Sequence, residues 1–421
     1  MTARDTSSPG FVITVIAANP ELRIDGKTDP TTVGKILENM DDVNKRILSF
    51  TYEDDEKAHD VLKLKVDNQD MYFMEHPAWI KGNLVRFFFG YPGRIFGPKY
   101  VVIDSVQGFL ELDITCVEDA ALANISYVRK FENFSIEDVI RRLIVDRSFG
   151  PNITAYSIPK DDARLQEKKT FSQSRQSDWQ FLQRLAEPLG YEVYIEHEIL
   201  FFKPRDFSAR PDRSYEYWYG IGDLLSFDIK EWRAADRPAE TVVVGRNPIE
   251  RKTISATGSN TKTTRDTLGN QNSVSIRADR AGALQRRPAG KTVHTTPAKT
   301  QGEAKTEADS RYRKQEQKEV EASARIIGDP ELRAKSIIKI VGISRQLSGL
   351  YYVKKHVHTI DRSNGYTGDL SLLRNAVTAI PTTTPPTTDP TKATENKKDP
   401  AKTKELVIRA IKSGKIVQQR Q

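Results

Sequence analysis

The segment Val61-Leu-Lys-Leu-Lys-Val66 alternates apolar and lysine side chains without interruption, and Asp67-Asn68 follow it directly. Alternation with a period of two places every second side chain on one face of an extended chain, so the segment predicts a half-buried β-strand. Asp and Asn favour turns because their side chains hydrogen-bond to the nearby backbone. The sequence therefore predicts a strand that ends at residue 66 or 67.

Other segments of residues 1–125 have the same character. They are residues 11–16, 47–52, 84–89, 100–103 and 109–116, with glycines and Pro98 between the later ones. Strands this closely spaced predict an antiparallel sheet or barrel. The acidic run Glu53-Asp-Asp-Glu56 is interpreted as a solvated turn in preference to a cation site.

Residues 126–205 predict a small α/β domain. Ser135 with Asp138 three residues later is typical of a helix N-cap, and apolar residues between 136 and 144 share one helix face. A second helix begins at about Ser177, and a hairpin over 191–202 follows it. We expect Trp179, Leu182 and Leu185 to be buried against that hairpin.

Residues 206–378 return to β character, with strands expected at 224–229, 241–245, 337–341, 351–358 and 370–373. Residues 251–302 are rich in small polar and basic residues and predict a flexible polar insertion, followed by a polar helix over 303–325. Residues 379–421 predict a stiff Pro/Thr-rich linker and a basic C-terminal tail. Within that tail, we expect residues 402–417 to form a short helix that is ordered only when docked on a partner, and a frayed, solvated tail is the alternative.

Composition limits the function classes. The chain has 421 residues, a net charge of +8, 38% hydrophobic residues and one cysteine. A single cysteine, Cys116, excludes an intramolecular disulfide framework and fits assembly in a reducing cytoplasm. No apolar run reaches the roughly 18–20 residues of a membrane span, and the N-terminus lacks the pattern of a signal peptide, so we expect neither export by that route nor an anchor.

Three partial motifs fail on spacing. Gly290-Lys-Thr292 ends like a phosphate-binding loop, but Gln285 stands where that motif needs glycine. His197-Glu198 opens like a zinc-protease signature, but Phe201 occupies the position of the second histidine. Gly220-Ile-Gly222 begins a dinucleotide fingerprint, but Leu225 replaces its third glycine. None of the three predicts a site.

His356 and His358 lie two residues apart on a predicted strand, so they share one face and would be close enough to bind a metal together. No further cysteine or histidine pair is available as ligands, so a structural role is favoured. We accordingly assign no catalytic, cofactor-binding or metal-binding residue, and we expect that the protein is not an enzyme.

The order of the segments resembles the late control protein D family, the baseplate hub proteins of contractile phage tails, and the N-terminal part of type VI secretion spike proteins. The most specific likeness is Gln176-Ser-Asp-Trp-Gln-Phe-Leu-Gln-Arg-Leu-Ala186 with Gly190-Tyr191. Further stretches with this likeness lie at 61–70, 81–91, 328–333, 348–353, 358 and 365–366.

The resemblance implies a mainly β fold with an α+β insertion, in which two tube-type β-barrel domains flank the small α/β domain. It also implies a homotrimer whose six barrels match a hexameric tail tube or tube-initiator protein. A separate central spike protein, and possible tape-measure and baseplate wedge proteins, are then partners, with DNA only as passing cargo. The expected location is the virion tail baseplate, assembled in the bacterial host cytoplasm.

The residues themselves leave two other interpretations of the function open. The basic insertion and tail fit a nucleic-acid-binding scaffold, although no recognised fold motif accompanies the charge. A tail-associated cell-wall hydrolase is the third reading, and it lacks a catalytic pair.

Overall fold

The computed structural model describes residues 9–17, 23–24, 27–28, 40–56, 59–74, 76–118, 125–149, 153–196, 199–217, 222–232, 240–247, 250–259, 267–269, 291–296, 298–318 and 320–378. The linker and tail predicted for 379–421, including the helix expected over 402–417, lie outside the described residues. His197-Glu198 and Gly220 of the partial motifs also lie outside them.

The first part of the chain is a run of strands with one short helix, α1 (Met40–Arg46). Its strands are β1 (Gly10–Ile16), β2 (Arg23–Ile24), β3 (Lys27–Thr28), β4 (Ile47–Asp55), β5 (Val61–Asp67), β6 (Leu84–Tyr91), β7 (Arg94–Gly108) and β8 (Glu111–Val117). The strand expected over 61–66 is confirmed as β5, whose apolar residues are buried and whose lysines are exposed. Strand β7 starts earlier than expected and continues through Gly97 and Pro98, where the sequence predicted a break.

The middle part contains two helices, α2 (Ile136–Val145) and α3 (Asp178–Ala186). Its strands are β9 (Tyr127–Phe134), β10 (Ala155–Ser157), β11 (Lys169–Gln176), β12 (Tyr191–Glu196) and β13 (Ile199–Pro204). Ser135 and Ser177 cap the two helices, each in a reciprocal capping box with the residue three positions on. This part has its own apolar core.

One expectation for helix α3 needs correction. Leu182 is buried, but Trp179 and Leu185 are only partly buried, and Phe181 lies fully inside the core with its ring 5.5 Å from that of Phe131. The ring of Trp179 instead lies 4.9 Å from His59, in the first part of the chain. The helix is rotated about its axis relative to the predicted stripe.

The last part contains one helix, α4 (Gln301–Glu316). Its strands are β14 (Arg213–Glu216), β15 (Leu224–Trp232), β16 (Glu240–Arg246), β17 (Thr253–Ser259), β18 (Lys291–Thr295), β19 (Val320–Ile327), β20 (Ile337–Val341), β21 (Gly349–Asp361) and β22 (Gly365–Arg374).

The same order of strand pairing occurs in the first and last parts. The first part pairs as β1-β6-β7-β8-β5-β4, and the last part pairs as β14-β20-β21-β22-β19-β15. If the six strands of each set are numbered from one to six in chain order, the pairing order in both sets is 1-4-5-6-3-2. The two sets differ in one pairing, because β1 runs antiparallel to β6 whereas β14 runs parallel to β20. The expectation of similar strand arrangements in the two parts agrees with this order.

The two sets form one continuous 12-stranded sheet because β4 pairs with β21. Strand β21 is long enough to pair with β20 through its first residues and with β4 through its last ones, and it pairs with β22 along its other side. Two apolar cores nevertheless lie against the sheet, one mainly within each set, and the first also includes Ile360 of β21 and Tyr366 of β22. The sheet is thus continuous, while the two cores are separate.

The flexible insertion predicted over 251–302 is wrong for two of its segments. Strands β17 and β18 flank β16 in a three-stranded sheet, with β17 antiparallel and β18 parallel to it. Helix α4 packs on this sheet through the small buried residues Ala304 and Ala308. The helix lies so close to the sheet that a Cβ added at Gly258 would be 2.2 Å from the Ala308 carbonyl oxygen. The sequence does not predict this unit, because its core is built from alanine, glycine and isolated larger apolar residues, which produce no clear periodic pattern.

The helix predicted over 303–325 is correct at its start and wrong at its end. Thr300 caps helix α4, which ends at Glu316, and Val320–Ile327 forms strand β19 between β15 and β22. In β19, Val320, Ala322, Ala324 and Ile326 are buried on one side of the strand. Alanine favours helices by intrinsic propensity, and here pairing with two neighbouring strands overrides that preference.

Candidate assembly surfaces

The acidic run 53–56 joins parts of the fold and is not a solvated turn. Residues 53–55 lie within strand β4. Glu53, Asp54 and Glu56 form ion pairs with different basic residues. Asp54 accepts hydrogen bonds from Arg333 at 2.9 Å and from the backbone N–H of Ala334 at 3.0 Å. Burial opposes ionisation of Glu53, but hydrogen bonds from Lys355 and Lys63 hold the pKa of its carboxyl below its ordinary value. The run is therefore a fixed junction between the two sets of strands.

Arg205 extends this junction to the middle domain and to helix α4. Its side chain is 5% exposed and pairs with Glu56 at 2.6 Å and with Glu192. It also donates a hydrogen bond to Gln317 at 2.8 Å, and its guanidinium lies 4.6 Å from the ring centre of Tyr352. One buried cation thus contacts strand β4, strand β12, strand β21 and the turn after α4.

The structure brings His356 and His358 together as the strand spacing predicts. Both are fully buried, and their ring centres lie 3.6 Å apart. Nδ1 of His356 lies 3.0 Å from the Leu332 carbonyl oxygen, and Nδ1 of His358 lies 2.7 Å from the Tyr366 hydroxyl. Burial lowers the pKa of His356 to about 4 and lowers that of His358 well below its ordinary value, so both rings are neutral at pH 7.

Among the residues that the structure describes, the histidine pair has no third ligand nearby. On the Nε2 side, Gly368 approaches so closely that a Cβ there would lie 2.4 Å from Nε2 of His356, and the Phe89 ring lies 4.8 Å from that of His358. Within the described ranges, no group of three His, Cys, Asp or Glu residues is placed to hold a metal ion. Cys116 is buried, and burial raises the pKa of its thiol to about 12, so it stays protonated.

Buried Asn68 positions two loops at one end of the first set of strands. Its backbone N–H donates to the Leu110 carbonyl oxygen at 2.8 Å, and its side-chain amide donates to that of Phe109 at 2.7 Å. Its side-chain oxygen accepts from the Phe73 N–H at 2.9 Å. The loop after β5 and the turn between β7 and β8 are therefore locked side by side.

These two loops present apolar side chains to solvent. We call the exposed residues the loop-end patch; they are Met71, Tyr72, Met74, Phe109 and Leu110. An exposed apolar cluster held by buried hydrogen bonds is typical of a protein interaction site. The sequence alone does not predict the patch, because it indicates only a turn after strand β5 and contains no signal for a contact between that turn and residue 109.

The end strands of the long sheet are a second exposed feature. Strand β1 is at one end and strand β15 at the other, and β14 ends a branch through β20, so each of the three leaves one side without a paired strand among the described residues. Val12 on β1 is 56% exposed, and Leu225 and Ile229 on β15 are also exposed. Unpaired strand edges with exposed apolar residues are competent to pair with another chain.

No helix among the described residues combines the length and apolar character needed to cross a membrane. Lys291 of the partial phosphate-loop motif lies in strand β18, and its ammonium group pairs with Glu240 at 2.9 Å. The partial motifs therefore contribute no ligand site in the part of the chain described.

Comparisons with known proteins identify a family and, separately, a fold. Residues 98–362, more than half of the chain, match the model of a family described as Alg8 N-terminal domain. A tail protein from Neisseria meningitidis MC58 is 13% identical with a TM-score of 0.59, and the alignment covers 87% of this chain and 97% of that chain. The prophage MuSo2 43 kDa tail protein from Shewanella oneidensis is 13% identical with a TM-score of 0.57, covering 88% and 100%.

A chain of the Francisella PdpA-VgrG complex is also similar, at 9% identity and a TM-score of 0.51, covering 90% of this chain and 55% of that chain. The comparison with curated proteins gives no match. At these identities the solved structures establish the fold, and the family model establishes the family. The chain belongs to the Alg8 N-terminal domain family, and its mainly β fold is that of phage tail proteins.

Proposed function

We propose that this protein is the central hub of a contractile phage-type tail baseplate, of the late control protein D type. Three copies would join a hexameric tail tube to a separate central spike. The observation that carries the proposal is the strand-pairing order that occurs twice in one chain. Three copies of a chain with two similar sets of strands present six similar sets, which is the number that a six-fold tube requires.

The exposed sheet ends support self-assembly into a ring. Strands β1 and β15 each end the same sheet. In the proposed ring, the β1 edge of one copy would pair with the β15 edge of the next in a head-to-tail contact. A head-to-tail contact between identical chains generates a ring when its rotation closes. The two tube-type barrels of each copy would then be completed by neighbouring copies.

The loop-end patch supports contact with a different protein. It lies at the ends of strands β5, β7 and β8, away from the strand edges that would join copies. Loops at the ends of the strands face along the axis of a ring, toward the tube or tube-initiator protein or toward the spike. Tape-measure and baseplate wedge proteins are further partners, and the virion baseplate is the location that this role implies.

The role is structural and not enzymatic. Buried polar groups such as those of Arg205 and Asp54 form ion pairs and hydrogen bonds that fix elements to one another. Purified protein should therefore release no dye from labelled cell walls. Release at a rate that depends on protein concentration would favour a tail-associated hydrolase.

The test is coexpression with the tail-tube and spike proteins encoded by the same genome. Val12→Asp introduces a charge at the β1 edge and should abolish self-association. Met74→Asp on the loop-end patch should leave self-association intact and weaken capture of a neighbour. Val145→Asp, at an exposed position at the end of α2, is the matched control and should change neither. Normal assembly of both the Val12 and Met74 variants would refute the proposed surfaces.

A further inference from the structure

A cleft of about 810 Å³ lies where the middle domain, helix α4 and the long sheet meet. Gln176, Gln180 and Gln183 line it from α3 and the residues just before it, and Lys318 lines it from the turn after α4. Lys354 of strand β21 lies on the sheet side. A cleft of this size is within the range of sites that hold a ligand of several residues or a drug-sized molecule.

The charges inside the cleft favour a negatively charged ligand. Its carboxylates already have basic partners, because Arg205 pairs with Glu56 and Glu192, and Lys314 lies 3.2 Å from Glu187. Lys354 forms no ion pair with the described residues. The ammonium group of Lys318 has a long ion-pair distance of 3.7 Å to Glu321 on strand β19, and the lysine side chain is 60% exposed. The cleft therefore retains basic groups that are available to a ligand.

The amide groups favour a ligand that both donates and accepts hydrogen bonds. Gln180 and Gln183 are three residues apart on one side of α3, and Gln176 is the last residue of strand β11, two residues before the helix. Gln180 accepts a hydrogen bond from the Ser177 N–H, which leaves its amide N–H groups to donate. Buried Oε1 of Gln176 and buried Nε of Arg205 have no hydrogen-bond partner within the described ranges.

Buried polar atoms without partners are uncommon in folded proteins, and a bound ligand is one way in which they are satisfied. A peptide backbone supplies N–H donors and carbonyl acceptors along its length, which matches a row of glutamine amides. Acidic side chains match the lysines. We propose that this cleft binds an extended acidic peptide segment of another protein, an activity that is independent of the hub assignment.

The chain's own C-terminal tail does not fit this description. After Pro400 the sequence contains one acid, Glu405, against the bases Lys402, Lys404, Arg409, Lys412, Lys415 and Arg420. A basic segment would be repelled by the lysines of the cleft. The occupant is therefore a segment of a different protein.

The experiment measures fluorescence anisotropy of a labelled hexapeptide, Glu-Ala-Glu-Glu-Ala-Glu, against full-length protein at about 0.15 M salt, where surface attraction is largely screened. A hexapeptide with lysine in place of each glutamate is the charge control. The acidic peptide should bind and the basic peptide should not. Failure of the acidic peptide to bind, or equal binding of both, overturns the proposal.

Variants separate the cleft from the general positive charge of the protein. Lys354→Glu should weaken binding about tenfold or more, as expected for loss of a charged hydrogen bond, and thermal unfolding should show that the variant is folded. Lys339→Glu makes the same change at an exposed position of strand β20 outside the cleft and should leave affinity nearly unchanged. Equal loss in the two variants means attraction by net charge only and refutes a specific cleft.

Two further measurements test the peptide character of the ligand. Gln183→Leu keeps charge and helix preference and should still weaken binding several-fold because a backbone hydrogen bond is lost. Inorganic phosphate at millimolar concentration should not displace the peptide. Full displacement by phosphate, with no effect of the glutamine substitution, would show a simple anion site and overturn the proposal.

Discussion

Replacing Arg205 with methionine should destabilise the protein more than any exposed ion-pair substitution. The arginine side chain is 5% exposed and is paired with Glu56 and Glu192, whose side chains are 1% and 15% exposed. Methionine preserves much of the volume but leaves two buried carboxylates without their cation. Removal of one member of a buried ion pair costs about 3–5 kcal/mol, because the remaining charge is uncompensated.

The assay is urea unfolding followed by circular dichroism, with the free energy of unfolding compared at pH 7. Arg325→Met is the matched control: Arg325 pairs with Asp369 at 2.7 Å, but the two side chains are 54% and 43% exposed. An exposed pair of this kind contributes about 0–1 kcal/mol. A triple variant, Arg205→Met with Glu56→Gln and Glu192→Gln, should recover part of the loss because no buried charge remains. If Arg205→Met costs no more than Arg325→Met at pH 7, the description of Arg205 as a buried junction is wrong.

Three further predictions concern the core, the histidine pair and helix α4. Phe181→Ala should cost about 3–5 kcal/mol in urea unfolding, as for other buried aromatic deletions, and a cost under about 1 kcal/mol would contradict its core position. Because burial lowers the pKa of His356 from 6.5 to about 4, the unfolded state binds more protons than the folded state in this range. The contribution of His356 to the free energy of unfolding should therefore be fully present above pH 6.5. It should decline by about 3 kcal/mol as the pH falls to 4, and the decline in total stability should be smaller in His356→Gln. Gly258→Ala should lower the melting temperature, since its Cβ would lie 2.2 Å from the Ala308 carbonyl oxygen, while Gly302→Ala, with open space around it, should not.

Strand and helix positions with strong local signals were predictable from the sequence. The alternation at 61–66 produced strand β5, and the serine caps at Ser135 and Ser177 marked the starts of α2 and α3. In these segments the local preference and the final packing agree. The resemblance to tail proteins added the prediction that the first and last parts would be alike, which no single motif contains.

The sequence failed where long-range contacts determine structure. The acidic run 53–56 is polar enough to predict a turn, but its partners Arg333 and Lys355 come from strands and loops about 280–300 residues away. Strand β19 contains alanine, glutamate and arginine, which favour helix when considered alone. Only pairing with β15 and β22 makes it a strand.

The assembly surfaces were the hardest part to foresee. The loop-end patch depends on hydrogen bonds from Asn68 to Phe109 and Leu110, which are 41 and 42 positions further along the chain. Sequence periodicity has no information about such a contact. The cleft likewise depends on residues from three separate parts of the fold.

The mass of the purified full-length protein in solution tests the central claim most directly. Light scattering after size-exclusion chromatography, at several protein concentrations, gives this mass without reference to shape. A hub with two similar sets of strands in each chain predicts a particle of three times the monomer mass, and Val12→Asp should reduce it to the monomer. A natural chain that remains monomeric or forms only dimers at every concentration would contradict the hub.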